Sequence, residues 1–186
     1  MGEGPQDPTK DPAEDIIIFL VTRDIIANNE ETAYDVIEEP ELMGHPAATG
    51  PRTRLTDFRV PEANVLLSGR AAAALIEQSF TPTAALVGVF ATSISRAAFE
   101  AALDFAKNDD RGGSVPIIQR PSVADLLTDI KIRTDTSRLL CWKALHCLEN
   151  GPGDWNSRYE LCLEAKIHAT NSCVDCVTDA MKAVGM

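Results

Sequence analysis

The sequence predicts an α+β fold in which a sheet-forming stretch over residues 15–68 is followed by long antiparallel helices over residues 69–186. Three observations carry this expectation. Up to about Leu67 the apolar residues are rich in β-branched types and are interrupted every few positions by turn formers. From Gly69 onward the apolar period lengthens to about 3.6 residues. The helical segments are joined by short connections, which make neighbours antiparallel. With 186 residues and 45% apolar composition, the chain can bury one real core or two smaller ones sharing a seam.

The elements follow in order. Residues 1–14 have neither an apolar core nor a basic start, so they read as a disordered arm rather than a signal peptide or anchor. "DIIIFLVT" has the continuous aliphatic run of a strand buried on both faces. "TAYDVIEE" is a weaker strand candidate, ended by Pro40 and the Gly44 and Pro46 punctuation. "TRLTDFRVP" places Phe58 and Val60 on one face and Asp57 and Arg59 on the other, until Pro61 stops it.

Ala71 to Ser79 then predicts a short helical stretch, with Pro82 suited to the first turn of the next helix. Over Thr83 to Lys107 the residues Val87, Phe90, Ile94, Ala97, Ala101 and Phe105 form one stripe. Alanines and Val89 make much of the remaining surface apolar too, which calls for burial on more than one side. Ser122 to Glu149 gives a second long helix through Val123, Leu127, Ile130, Cys141, Leu145 and Leu148, closed by "NGPGD". The third runs from about Trp155 to Val184. Three helices of matched length, each about 40 Å at 1.5 Å per residue, can pack side by side. No fourth helix follows them in the sequence to fill a bundle.

Charge narrows the function. The formal net charge is −11, and six acids fall between Glu30 and Glu41. Such a field repels phosphate backbones and anionic lipid, so neither nucleic acid nor a membrane is an expected partner. The uninterrupted apolar runs "IIIFLV" and "AALVGVFA" fall short of the roughly 20 residues that cross a bilayer, and a soluble protein is expected. An anionic cofactor can bind where a local arginine and backbone N–H groups override the global field. Five cysteines and no recognisable secretory signal fit free thiols in a reducing compartment. The C-terminus "AVGM" carries no peroxisomal tripeptide.

Several residues have plain structural readings. Cys173 and Cys176 form a C-x-x-C, but no second pair accompanies them and both fall in a helical pattern, so core packing is favoured over metal or redox chemistry. His45, His146 and His168 are scattered without acid or nucleophile spacing and read as surface or interface residues. Lys166 lies on an apolar stripe, where snorkelling suffices. "KNDDRGG" reads as a helix C-terminus, with Lys107 favouring the negative end and Gly112 or Gly113 able to take a left-handed cap.

The order formed by "DFRVPEANVL", a long alanine-rich helix, "FAKNDDRGGS", "SVADLL" and two further helices resembles the later part of the acyl-CoA dehydrogenase superfamily of flavoproteins. Within it, "FLVTRDIIANNEETAYDV", "EPELMGH", "TSRLLCWKA" and "DAMKAVGM" are most similar to the branch that oxidises nitroalkanes. The resemblance covers nearly all of residues 15–186. It implies a partial middle β domain, half of a β-barrel-like sheet, over 15–68. Over 69–186 it implies an antiparallel three-helix portion of a C-terminal four-helix bundle. Also implied are FAD, a homo-oligomer of tetrameric type, a cofactor that straddles two subunits, and an N-terminal helical domain and catalytic carboxylate segment outside this stretch.

The resemblance also implies site residues. Arg111 corresponds to an arginine that touches the FAD of a neighbouring subunit, with Gly113 and Ser114 close by, and a guanidinium can make two charge-assisted bonds to a diphosphate. This role coexists with the helix-end reading. Phe80 corresponds to an aromatic lining the substrate channel and Thr83 to a hydroxyl that supports the catalytic carboxylate; a core phenylalanine and a threonine near a helix start is the plain alternative. Pro121 stands where the family has a glutamine, and supplies no side-chain hydrogen bond.

Two functions are therefore expected as alternatives. One is FAD-dependent oxidation through α-proton abstraction, with an acyl-CoA substrate named first and a nitroalkane as the alternative small molecule. The other is a truncated, non-catalytic fragment that retains the oligomerisation helices.

Overall fold

The computed structural model describes residues 11–42, 44 and 50–185, which leaves His45 outside the described residues. The chain divides into two compact units, Met1–Ile76 and Glu77–Met186.

In the first unit, β1 (Ile17–Phe19) pairs antiparallel with β4 (Val65–Ser68), and β2 (Tyr34–Glu38) with β3 (Arg52–Leu55), as two separate two-stranded sheets. A short helix, α1 (Arg23–Ala27), starts where Thr22 accepts a hydrogen bond from the Ile25 amide. Asn29 then ties α1 to the segment after β3. Its amide donates to the Ile25 and Arg59 carbonyls at 2.8 and 2.9 Å, and its oxygen accepts from the Arg59 amide at 2.7 Å.

Several expectations are corrected here. "DIIIFLVT" is a strand only over three residues, and it is not buried on both faces: Ile17 and Phe19 are exposed and line an open cavity together with Leu55, Phe58 and Val60, with β4 as the strand paired to β1. The "TRLTDFRVP" strand stops at Leu55. Asp57 takes a left-handed φ of 49°, which turns the chain before the Phe58 and Val60 alternation begins. Of the arm read over residues 1–14, Pro12–Asp15 form a 3₁₀ turn capped by the Asp11 carboxylate, and Arg70 pairs with Asp11 at 2.7 Å and Glu14 at 3.0 Å.

The long helices are α2 (Gly69–Asn108), α3 (Pro121–Asn150) and α4 (Trp155–Ala183). Ile117, Val123, Leu127, Ile130, Cys176, Ala180 and Ala183 close over Ala102 and Ala106 of α2 in one core cluster. Ala85 and Ala91 meet Cys141, Ala144, Cys162, Ala165, Ala169 and Cys173 in a second. These contacts run α3 antiparallel to both α2 and α4, as the short connections required. Both C-x-x-C cysteines are core residues, and all five cysteines are free thiols. Burial pushes the thiols of Cys141, Cys162 and Cys176 up.

Two readings of α2 are corrected. The expected break before Pro82 is absent, and a single helix of 40 residues runs through it. Proline removes one amide donor from the ladder. Neighbouring hydroxyls add bonds in the same turn at other carbonyls: Thr81 Oγ1 donates to the Glu77 carbonyl at 2.6 Å and Thr83 Oγ1 to the Phe80 carbonyl at 2.7 Å. The stripe of Val87, Phe90 and Ile94 is not the core face, since all three are exposed. Small residues face inward instead, namely Ala85, Gly88, Ala91, Thr92, Ser95, Ala102 and Ala106. They win that side because a Cβ added at Gly88 would lie 2.8 Å from the Cys141 sulfur and 3.2 Å from the Ala165 carbonyl oxygen, a spacing that no large side chain fits.

The same composition revises the reading of membrane-spanning capacity. By length and composition α2 is, among the described residues, a helix able to cross a membrane, with mean hydropathy 1.4 over an 18-residue window. Uninterrupted runs of large apolar residues miss it because alanine, glycine and threonine supply much of the average. Here its small-residue face packs on α3 and α4, while only 28% of that window is buried.

Candidate functional site

The "NDDRGGS" segment is a built turn. Asn108 ends α2, and the Asp109 amide bonds back to the Phe105 carbonyl at 2.9 Å. Arg111 and Gly112 both take left-handed φ angles, 50° and 73°, and the Gly113 amide returns to the Asp110 carbonyl at 2.9 Å. Two consecutive left-handed residues closed by that bond have the pattern of a type I′ turn. The aspartates hold it. Asp109 Oδ1 accepts from the Arg111 amide at 2.7 Å, and Asp110 Oδ1 from the Gly112 amide at 2.8 Å.

The glycine reading divides. Gly112 has the left-handed angle; Gly113 does not. Gly113 is a glycine for space: a Cβ there would stand 3.0 Å from the Asp110 carbonyl oxygen and 3.1 Å from the Arg120 guanidinium, which itself donates to that carbonyl at 2.9 Å. Neither glycine caps α2 directly, because the carboxylates intervene. Pro121 opens α3 in its first turn, as expected.

Arg111 is held from three sides. Its guanidinium lies 4.8 Å over the Phe105 ring, donates to the Val184 carbonyl at the end of α4, and has Nε 4.0 Å from Asp109 Oδ1. The side chain remains 44% exposed. It closes one end of an apolar groove of about 500 Å³ between α2 and α4, lined by Ala98, Ala101, Phe105, Val177 and Met181 among others. Space is open at Gly112, where an added Cβ would meet nothing within 4 Å.

A flavin diphosphate fits this turn in three respects. The guanidinium is a permanent cation with donors in a fork. The two nearby carboxylates are engaged on backbone amides, and the surface at Gly112 and Ser114 is open.

Phe80 and Thr83 share the outward face of α2, one turn apart, and Phe80 is 71% exposed. Phe80 is therefore not a core residue among the described residues. Thr83 has its hydroxyl proton on the Phe80 carbonyl, so it can accept a further hydrogen bond in place, and donates elsewhere only by rotating. Two residues with no sequence signal join this place. Glu77 accepts a hydrogen bond from the Tyr159 hydroxyl at 3.0 Å, which raises the Tyr159 phenol above its ordinary range, chiefly through that bond.

The structure brings Phe80 together with Thr83, and Arg111 with Gly113 and Ser114, but not the two groups. Thr83 and Asn108 lie 25 residues apart on one helix, about 38 Å at 1.5 Å per residue. His146 is exposed beside Asn150, the His168 Nε2 is buried without a hydrogen-bond partner among the described residues, and Lys166 is exposed.

Residues 73–186 match the family model described as the acyl-CoA dehydrogenase C-terminal domain. The chain is 53% identical over 183 residues to nitroalkane oxidase from Fusarium oxysporum, and 42% identical over 182 residues to that from Podospora anserina. Each match takes in 98% of this chain and 42% of the relative, so the chain spans less than half the length of the curated relatives it matches. A solved nitroalkane oxidase, an active-site mutant crystallised with 1-nitrooctane, superposes with a TM-score of 0.93 at 52% identity, covering 99% of this chain and 43% of that one. Butyryl-CoA dehydrogenase from Megasphaera elsdenii shares the fold at 20% identity, with a TM-score of 0.77 over 93% of this chain and 42% of that one. An α2–α4 scaffold of this form, matched over residues 73–186 by that C-terminal domain, places the chain in the acyl-CoA dehydrogenase family.

Proposed function

We propose that the chain forms part of an FAD-dependent oxidoreductase that removes a proton from the carbon next to an activating group, within an assembly of several copies. The observation that carries the reading is the separation of the two residue groups on α2. The diphosphate and the ring of one flavin dinucleotide lie far closer together than about 38 Å. Arg111 and the Phe80–Thr83 pair of one copy therefore serve different cofactors, and a complete site draws on two copies.

In this reading the flavin, when bound, supplies the electron acceptor for the oxidation. Arg111 binds the diphosphate, with Gly113 shaping the turn and Ser114 offering its hydroxyl. Thr83, by rotating its hydroxyl off the Phe80 carbonyl, donates a hydrogen bond to a catalytic carboxylate and so fixes that base beside the substrate carbon. Phe80 supplies an apolar wall that orients the substrate and excludes water.

The substrate is proposed from the relatives. Identities of 53% and 42% to two nitroalkane oxidases favour a nitroalkane, while the family model and the shared fold with butyryl-CoA dehydrogenase keep acyl-CoA as the second reading. A polyanionic CoA tail wants basic surroundings, and α2 offers none beside Phe80 and Thr83.

Association of copies, tetrameric by analogy with the family, has its own support. Phe80, Leu86, Val87, Phe90 and Ile94 leave a long exposed apolar face on α2, of the kind that marks interaction surfaces. The test is a visible spectrum of the purified protein together with its mass in solution. A flavin absorption band that is lost in Arg111→Ala, in a particle larger than one chain, supports the proposal; a colourless protein after incubation with FAD defeats it.

A further inference from the structure

The turn of α2 that carries Phe80 and Thr83 lacks one bond of the helix ladder, because Pro82 supplies no amide to the Gln78 carbonyl. A side chain from outside α2 is hydrogen-bonded to this turn. Tyr159, 82 positions away in sequence, donates its hydroxyl to Glu77 Oε1 at 3.0 Å. Glu77 in turn receives the Thr81 hydroxyl on its carbonyl at 2.6 Å, so one residue is held through both its side chain and its backbone. Thr81 is itself buried.

Tyr159 is well placed to brace. It sits one turn into α4, whose start is anchored by the Asp154 carboxylate on the Ser157 amide and hydroxyl at 2.9 and 2.6 Å. The Arg158 guanidinium adds bonds to the Gly153 carbonyl at 3.1 and 2.9 Å. A fixed helix start thus reaches across to the first turn before the proline.

We propose that Tyr159 is a positioning residue which, through Glu77, holds the proline-interrupted turn of α2 and with it the outward side chains of Phe80 and Thr83. The role of those two side chains rests on the functional reading above; the brace itself does not. A hydrogen bond of this kind is modest in net free energy. It matters here because the turn it serves has lost one of its own.

The test is amide exchange on the intact chain. Tyr159→Phe, which removes only the hydroxyl, is expected to speed exchange at Thr81, Thr83 and Ala84 roughly threefold to tenfold, the factor that corresponds to one net hydrogen bond. Amides of α3 and of the second half of α2 are expected to keep their rates, and the Thr83 methyl resonance to shift. Glu77→Leu should match Tyr159→Phe, the double variant should add nothing further, and Glu77→Gln, which keeps an acceptor oxygen, should restore most of the protection. Unchanged exchange in Tyr159→Phe, or acceleration spread evenly over α2 and α4, overturns the proposal. Flavin uptake is read separately by absorbance. A brace that holds in a chain that takes up no flavin would leave Tyr159 in place and remove the functional reading alone.

Discussion

Gly88 of α2 faces Cys141 of α3 so closely that a Cβ at position 88 would stand 2.8 Å from the sulfur. The second contact at that point is backbone, the Ala165 carbonyl oxygen at 3.2 Å, which cannot swing away as a side chain can. Gly88→Ala is therefore expected to destabilise the helical unit by about 1–3 kcal/mol, the usual cost of overpacking, despite the better helix propensity of alanine. Urea unfolding measures it. A stabilised variant would show that the helices separate easily at this crossing.

Pro82 behaves oppositely. Inside α2 it withholds an amide from the Gln78 carbonyl, and the Thr81 and Thr83 hydroxyls bond to other carbonyls, those of Glu77 and Phe80. Pro82→Ala is expected to raise stability, by up to about 3 kcal/mol if the turn can regularise. Thermal melting decides it, and a lower melting temperature would mean that the proline geometry is required by packing.

Backbone strain and ligand binding can be separated at Arg111. Its φ of 50° suits glycine, and a non-glycine residue there costs roughly 1 kcal/mol or more. Arg111→Gly is expected to be more stable than Arg111→Ala by about that amount, since both lose the Phe105 and Val184 contacts alike while only glycine relieves the angle. Both are expected to lose flavin uptake. Comparing melting temperature with absorbance at the flavin band separates the two effects.

Asp179 links stability to pH. Its carboxyl lies below the usual range, first through the Lys182 hydrogen bond at 3.0 Å and then through Arg133 at 2.7 Å. A carboxyl with a lowered folded value contributes stability that is fully present above its unfolded value near 3.8 and is lost as pH falls through the folded value. Asp179→Asn is thus expected to lower the melting temperature near pH 7, with the difference from the parent chain shrinking at pH 3 and below. A constant difference across that range would exclude the ion pair as its source.

The thiols differ in access. Cys147 is half-buried, whereas Cys141, Cys162, Cys173 and Cys176 are buried. One thiol is expected to react promptly with a bulky disulfide reagent in the native protein, and the remaining four only on unfolding. Mass mapping of the first adduct to a peptide other than that of Cys147 would contradict the packing described.

Much of the architecture is legible from residue order. A helical period of 3.6, the "NGPGD" break and the short connections specify long antiparallel helices, and the helix end at "KNDDRGG" announces itself through its charges and glycines. The family is legible too, because several motifs keep their order and spacing. What periodicity cannot choose is which apolar face of α2 turns inward, since both faces are apolar. That depends on how near two backbones can come, and the approach at Gly88 selects the alanine side and leaves Phe80, Phe90 and Ile94 outside. Local rules likewise placed a helix start at Pro82, where packing of α2 on its neighbours carries the helix straight through. The left-handed angle at Arg111 and the Tyr159–Glu77 bond arise from contacts between groups distant along the chain or from carboxylates bonded to a turn, and pattern alone has no term for either.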